Sequence, residues 1–350
     1  MIMVFAMAAA LWGIGLIMGA PARARWTMLA VLMIGVISVQ LVLPEGHPLR
    51  EALGGDARLW LLMIAFAALA AGYRAILKKV KAKAAAVQTP AEKVATFSDT
   101  ELERYARHIV LREIGGPGQK ALHDARVLVI GAGGLGAPAL QYLAAAGVGS
   151  IGVIDDDVVE NTNLQRQVIH NDKAIGVPKV HSAADAMRAQ NPFVTVRPYQ
   201  RRLTSDIAAD LFSEYDLILD GTDNFDTRYL VNQTAVALGI PLIAAALTQW
   251  EGQISLYDPA KGTPCYACVF PQAPDPALAP NCAEAGVLGP LPGVIGSMMA
   301  VEAVKQITGA GDTLAGRLLI YDALYAQTRM IGLKPHADCR VCAGRGLQGA

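Results

Sequence analysis

The segment Gly131-Ala-Gly-Gly-Leu-Gly136 constrains the fold of this chain more than any other. It follows an apolar, branched run of strand length, Arg126–Ile130, and opens a stretch of helix composition, Ala137–Ala146. The next apolar run is Ser150–Asp155. Glycines at this spacing permit a tight turn and let the backbone approach a phosphate, and the helix beginning there favours negative charge at its N-terminus. A strand, glycine turn, helix and strand within about 30 residues open a doubly wound parallel sheet. The same spacing also suits a turn made for packing alone.

The alternation continues downstream. Helices are expected over Lys179–Gln190, Ile207–Phe212 and Asn224–Leu238, and strands over Thr195–Tyr199, Leu217–Asp220 and Leu242–Leu247. Strands at Gln253–Tyr257 and Leu318–Tyr321, around a helix at Gly293–Thr308, read as antiparallel. Upstream, Ser98-Asp-Thr-Glu101 is a capping box that starts a helix running to Ile114 and stopping at Gly115-Gly-Pro-Gly118, before a short helix over Gln119–Asp124. The fold class expected is α/β: a Rossmann-like, doubly wound, mainly parallel sheet with an antiparallel C-terminal extension, preceded by transmembrane helices.

The membrane expectation comes from how hydrophobicity is distributed. The chain has 350 residues, 53% of them hydrophobic, and 30 basic residues balance 30 acidic ones. That balance gives no global attraction to nucleic acid, and no nucleic-acid partner is expected. The mean hydropathy is +0.35, with the excess gathered before Lys78. Ile2–Ala20, Trp26–Leu43 and Leu59–Tyr73 are uncharged runs, the third extendable to Leu77 if Arg74 snorkels. Trp26, Trp60 and Tyr73 stand at their ends, where interfacial aromatics belong. The first run has no positive region before it, unlike a cleaved signal peptide. Arg74, Lys78, Lys79, Lys81 and Lys83 form the heaviest positive cluster, which marks the cytoplasmic side. The expected organisation is a membrane segment of about three spans over 1–78, a linker over 79–97 and a catalytic domain over 98–350. The protein is expected in the inner membrane, multi-pass, with that domain in the cytoplasm.

Several residues carry chemistry. Asp155 ends the second strand, where an acidic side chain would hold a ribose hydroxyl, and to this point a nicotinamide dehydrogenase fits equally well. A polar run then spans Asp155 to Gln167 and includes Thr162, Asn163, Leu164, Gln165 and Arg166, with Lys179 beyond it. Arg166 and Lys179 suit an enzyme that must neutralise charge moving along a triphosphate, although each alone reads equally well as surface charge. Asp223 and Asn224 follow the strand Leu217–Asp220; Asp223 is placed to meet a nucleotide or its Mg²⁺, or one of the pair caps the next helix. Cys265/Cys268 and Cys339/Cys342 are two C-x-x-C pairs suited to a closed Cys₄ structural Zn²⁺ site that would staple the C-terminal tail to the domain. Cys282 sits in a Pro- and Gly-rich loop. Its thiol is a nucleophile only if its thiolate is stabilised, and is otherwise a small packed residue.

Taken together, these residues resemble the MoeB/ThiF/HesA family, bacterial relatives of ubiquitin-activating enzymes. The signals are Arg104-Tyr-x-Arg107, Gly131–Gly136, Asp155-x-Asp157, Asn163-Leu-x-Arg166-Gln167, Lys179, Thr222-Asp223-Asn224, Trp250-Glu-Gly-Gln253, Cys282-x-Glu-x-Gly-Val and both cysteine pairs. The resemblance implies that Gly134, Asp155, Asn163, Arg166, Lys179 and Asp223 surround ATP and Mg²⁺, with Thr162, Leu164, Gln165 and Asn224 completing the nucleotide contacts. It implies a homodimer in which Arg107 reaches the partner's nucleotide, so that Arg107, Arg166, Lys179 and Asp223 form the catalytic set. The implied reaction adenylates the C-terminal Gly-Gly carboxylate of a ubiquitin-like sulfur carrier. A MoaD-like carrier of molybdenum cofactor biosynthesis is preferred over a ThiS-like one of thiamine biosynthesis, and a thiocarboxylate follows. Cys282 has no constant role in the family and is not counted as catalytic. No rhodanese-like domain follows Cys342, so a separate sulfur donor is expected, and the family pattern does not account for the membrane segment.

Overall fold

The structure, a computed structural model, describes residues 2–54, 56–87, 96–274 and 285–343. Cys282 and most of its loop lie outside the described residues, as does Pro90 of the expected linker. The chain forms two compact units, Met1–Val94 and Ala95–Ala350.

The first unit is helical: α1 (Ile2–Ile17), α2 (Ala22–Val42), α3 (Pro48–Ala52) and α4 (Ala57–Val87). Val4, Val36 and Trp60 are buried against one another, and the Trp60 indole N–H donates to the Leu53 carbonyl at 3.1 Å. Phe5, Ile34, Leu62 and Phe66 instead face outward. Among the described residues two helices, Ala22–Val42 and Arg58–Lys79, are long and apolar enough to cross a membrane; α1 is apolar but, at 16 residues, shorter. At 1.5 Å per residue, α1 reaches about 24 Å against a hydrocarbon core of about 30 Å. The linker expected from residue 79 begins as a helical extension, which its Ala/Lys-rich sequence suits, because α4 runs on through the alanines and lysines to Val87. These are strong helix formers.

The second unit is built on an eight-stranded sheet: β1 (Arg126–Ile130), β2 (Ser150–Asp155), β3 (Thr195–Gln200), β4 (Leu217–Asp220), β5 (Leu242–Leu247), β6 (Glu251–Tyr257), β7 (Arg317–Asp322) and β8 (Gln327–Gly332). The strand order is β3-β2-β1-β4-β5-β6-β7-β8. The first five are parallel, and β5 through β8 pair antiparallel, the architecture expected from the sequence. Its helices among the described residues include α5 (Asp99–Ile109), α6 (Gly115–Asp124), α7 (Gly136–Ala146), α8 (Lys179–Gln190), α9 (Ser205–Ser213), α10 (Phe225–Leu238), the short α11 (Tyr266–Val269) and α12 (Pro290–Thr308). Helices cover both faces: Leu140, Ala183 and Met299 join one apolar core, while Phe212 and Val231 join the other. The parallel strands are therefore buried on both sides and read as continuous apolar runs.

The capping box at α5 forms: the Glu101 carboxylate accepts from the Ser98 N–H at 2.8 Å, and Ser98 Oγ accepts from the Glu101 N–H at 3.3 Å. That helix ends at Ile109 rather than Ile114, and Gly115–Gly118 is the first turn of α6 rather than a stop. First-turn amides lack intrahelical partners, so Pro117 loses no bond there. The strand β8, exposed along its length, was not expected from the sequence.

Candidate nucleotide site

The strand order reverses between β1 and β4, and in sheets of this kind ligands bind beyond the strand ends at that point. The glycine turn stands there. Gly131 has φ +93, a conformation other residues rarely adopt, and a Cβ on it would lie 3.3 Å from the Gly221 oxygen of the β4 end. A Cβ on Gly136 would lie 1.9 Å from the Gly131 oxygen, so the turn closes only with glycine at both positions. Gly134 faces Pro292 at the head of α12: a Cβ there would be 3.0 Å from the Pro292 Cβ and 3.8 Å from the Arg166 Cδ.

Asp155 does more than the sequence suggested. One carboxylate oxygen accepts the Ala132 N–H at 2.7 Å and the other accepts the Asp157 N–H at 2.8 Å. It therefore anchors the glycine turn as well as facing the cleft. Burial raises its pKa, against the opposing pull of these amides and of Lys179. Lys179 is the first residue of α8, with its side chain 7% exposed, and its ammonium donates to Asp157 at 2.7 Å. Arg166 donates to the Thr162 carbonyl at 3.1 Å. Asn163 is buried, its amide oxygen accepting from the Glu160 N–H at 3.0 Å. Asn224 caps α10 by accepting the Thr227 N–H at 2.8 Å, which leaves Asp223 exposed at the cleft.

A cleft of about 1070 Å³ joins these groups: Gly134, Asp155, Asn163, Arg166, Lys179, Asp223 and Asn224 all line it. Thr162, Leu164 and Gln165 are not on its wall. The Thr162 hydroxyl donates to Glu160 at 3.3 Å, and the Gln165 side chain packs beside Gly289. They shape the 3₁₀ turn that presents Arg166. Arg107 lies exposed on α5, away from this wall. Sequence reasoning missed Arg201 and Arg202, which follow β3 and line the cleft, and Arg228, which lines it buried and donates to the Thr222 carbonyl. The Arg201-Arg202 doublet at a strand's carboxyl end was the available signal.

The four cysteines converge. Their sulfurs lie within 4.8 Å of one another, with separations of 3.8 Å (Cys265–Cys268), 3.6 Å (Cys265–Cys339) and 3.3 Å (Cys268–Cys342). Four thiolates around zinc at about 2.3 Å stand about 3.8 Å apart, so this donor set fits a structural Zn²⁺. Burial pushes the Cys265 thiol up to about 11, and a bound cation would hold it as thiolate. Cys265 immediately precedes α11, whose Tyr266 lines the cleft, so the cluster braces one wall of the site.

A glycine turn at the switch point, with lysine, arginine and carboxylate on one cleft, defines a Rossmann-like nucleotide-binding enzyme. Comparison with known proteins narrows that class. Residues 105–341 match the ThiF family model. The chain is 47% identical over 248 residues to a SAMP-activating enzyme E1 of Haloferax volcanii, covering 71% of this chain and 91% of the relative. It is 48% identical over 256 residues to a sulfur carrier protein adenylyltransferase of Thermus thermophilus, covering 72% and 94%. A crystal structure of E. coli MccB with ATP shares the fold, with a TM-score of 0.56 at 24% identity over 65% of this chain and 69% of that one. The chain belongs to the ThiF family and is an adenylyltransferase. The dehydrogenase reading left open by the glycine turn gives way to it.

Proposed function

We propose that this protein adenylates the C-terminal Gly-Gly carboxylate of a ubiquitin-like sulfur carrier of the MoaD type. The observation that carries the proposal is the convergence of Arg166, Lys179 and Asp223 on one cleft beside the glycine turn. The names of the two relatives, a sulfur carrier protein adenylyltransferase and a SAMP-activating E1, support a small protein carrier as substrate.

ATP is a substrate here. The amides of the glycine turn and the N-terminus of α7 receive its phosphates. Lys179 exchanges the exposed carboxylate of Asp157 for phosphate oxygen, and Arg166, on the wall of the same cleft, meets the same charge. Asp223 would hold a Mg²⁺, which would supply charge neutralisation to the triphosphate. The carrier's carboxylate oxygen attacks the α-phosphorus. The bond from that phosphorus to the α,β-bridging oxygen breaks, and its electron pair leaves with pyrophosphate. The product is a carrier acyl-adenylate. Sulfide-level sulfur from a separate donor then attacks the acyl carbon, the bond from that carbon to the AMP oxygen breaks with its electron pair leaving on AMP, and the thiocarboxylate remains.

Two further features belong to this reading. The exposed position of Arg107, off its own cleft, supports a homodimer in which it serves the partner's nucleotide. The outward apolar faces of α2 and α4, followed by Lys78 and Lys79, support a multi-pass inner-membrane segment with the catalytic unit in the cytoplasm. Labelling from outside of single cysteines placed between α2 and α4, with none at the linker, is the expected pattern; the reverse pattern refutes the orientation. Carrier choice is read by ATP–pyrophosphate exchange with both carriers in parallel. Stimulation by the MoaD-like carrier is expected, and stimulation by the ThiS-like carrier alone would overturn that assignment.

A further inference from the structure

His170 lies outside the glycine motif and outside the residues facing the cleft, yet it is only 6% exposed and both ring nitrogens are engaged. Nε2 is 3.0 Å from the Ala132 carbonyl oxygen, and Nδ1 is 2.9 Å from Ser182 Oγ. A carbonyl oxygen only accepts, so Nε2 carries the proton and Nδ1 accepts from the serine hydroxyl.

Ala132 is the second residue of the glycine turn, and it is held at both polar atoms. Its carbonyl accepts from His170, and its N–H donates to Asp155 at 2.7 Å. The contacts then close into a ring. Asp155 accepts the Asp157 N–H, and the Asp157 carboxylate accepts from Lys179. Lys179 begins α8, Ser182 lies on the same helix about one turn later, and Ser182 donates to His170. Turn, β2 end and head of α8 are thus locked together by two routes, one through Asp155 and Asp157 and the other through His170.

We propose that His170 is a positioning residue for adenylation, fixing the phosphate-facing amides of the glycine turn in register with the Lys179 ammonium. An apolar ring of similar size would fill the space but leave a buried carbonyl with no donor, and the freed turn would drift from Lys179. Because His170 sits behind the turn, its loss should weaken the hold on the triphosphate and not on the carrier. The inference rests on the reading that this turn receives ATP phosphates.

The test uses the full-length chain with His170→Phe, His170→Gln and Ser182→Ala, measuring ATP binding by titration, the KM for ATP and for carrier in exchange, and the melting temperature. His170→Phe should weaken ATP binding about tenfold, with the carrier KM within about twofold. His170→Gln, whose amide N–H can reach the Ala132 carbonyl, should recover most of the loss. Unchanged ATP affinity in His170→Phe overturns the proposal, as does an equal loss for ATP and carrier that glutamine fails to rescue. If the phenylalanine variant does not fold, Ser182→Ala carries the test: a severalfold weaker ATP affinity supports the proposal, and wild-type affinity overturns it. Wild-type protein that does not bind ATP would refute the nucleotide reading itself. Wild-type binding that all variants retain would refute only the role of His170.

Discussion

Replacing Lys179 with alanine separates catalysis from stability more cleanly than any other change at the site. The lysine side chain is 7% exposed, but its partner Asp157 is 65% exposed, at 2.7 Å. A pair with one partner in water contributes about 0–1 kcal/mol, and the aspartate left behind rehydrates instead of becoming a buried unpaired charge. Losing the packed aliphatic stem, three methylenes at about 0.8 kcal/mol each, adds about 2 kcal/mol. The expected stability loss of about 2–3 kcal/mol lowers the melting temperature by several degrees, and the fold survives. The same ammonium, facing a cleft where charge moves along the triphosphate, should be worth about 10²–10³ in rate, or about 2.7–4 kcal/mol. The catalytic loss therefore exceeds the structural one. Carrier-stimulated ATP–pyrophosphate exchange at saturating ATP, read beside a thermal melt, is the assay. Exchange within tenfold of wild type in a folded Lys179→Ala protein would refute the reasoning.

Other outcomes follow from the same geometry. Gly136→Ala places a Cβ 1.9 Å from the Gly131 oxygen, so the turn must move by about an ångström at a cost of about 1–3 kcal/mol, and ATP titration should show binding lost; wild-type affinity would contradict the turn's role. Metal analysis of the purified chain should find one zinc per protein, and Cys342→Ser should lose it and melt at lower temperature; unchanged metal content would remove this cysteine from the site. Burial, opposed by the hydrogen bond to the Ala132 carbonyl and by Asp155 and aided by Lys179, lowers the His170 pKa below its ordinary value of 6.5. The unfolded chain then binds more protons in that window, so the contribution is present above pH 6.5 and lost as pH falls through the lowered folded value. The wild-type melting temperature should drop on acidification by more than that of His170→Gln, and equal slopes would contradict the assignment.

The parallel half of the sheet was legible because its strands are buried on both faces and its helices are bounded by glycines and caps. The β1–α7–β2 unit needed only the spacing of Gly131, Gly133, Gly134 and Gly136. The antiparallel edge was harder: Gln327–Gly332 is exposed throughout, with no alternation to reveal a strand. Gly115–Gly118 reads as a breaker in isolation, yet it serves as a helix start because the first turn tolerates glycine and proline. In the site, motif spacing brought Gly134, Asp155, Arg166, Lys179 and Asp223 to one cleft, and the two cysteine pairs to one cluster across 70 intervening residues. It could not separate residues on the wall from those behind it. Thr162 and Gln165 share the polar run but shape its turn, and Asp155 proved to be an anchor for Ala132 as well as a cleft carboxylate. Arg201, Arg202 and His170 were missed because each depends on which strand end or helix the chain brings beside it.

The central claim is that ATP activates a carrier's terminal carboxylate at the cleft between β1 and β4. The most direct measurement is intact-mass analysis of a Gly-Gly-ended carrier incubated with the full-length protein, ATP and Mg²⁺ but no sulfur donor. The account predicts a carrier–AMP adduct that is absent with Asp223→Ala and with a carrier lacking its terminal glycine. No adduct on any Gly-Gly-ended carrier, from a protein that binds NAD tightly, would contradict it.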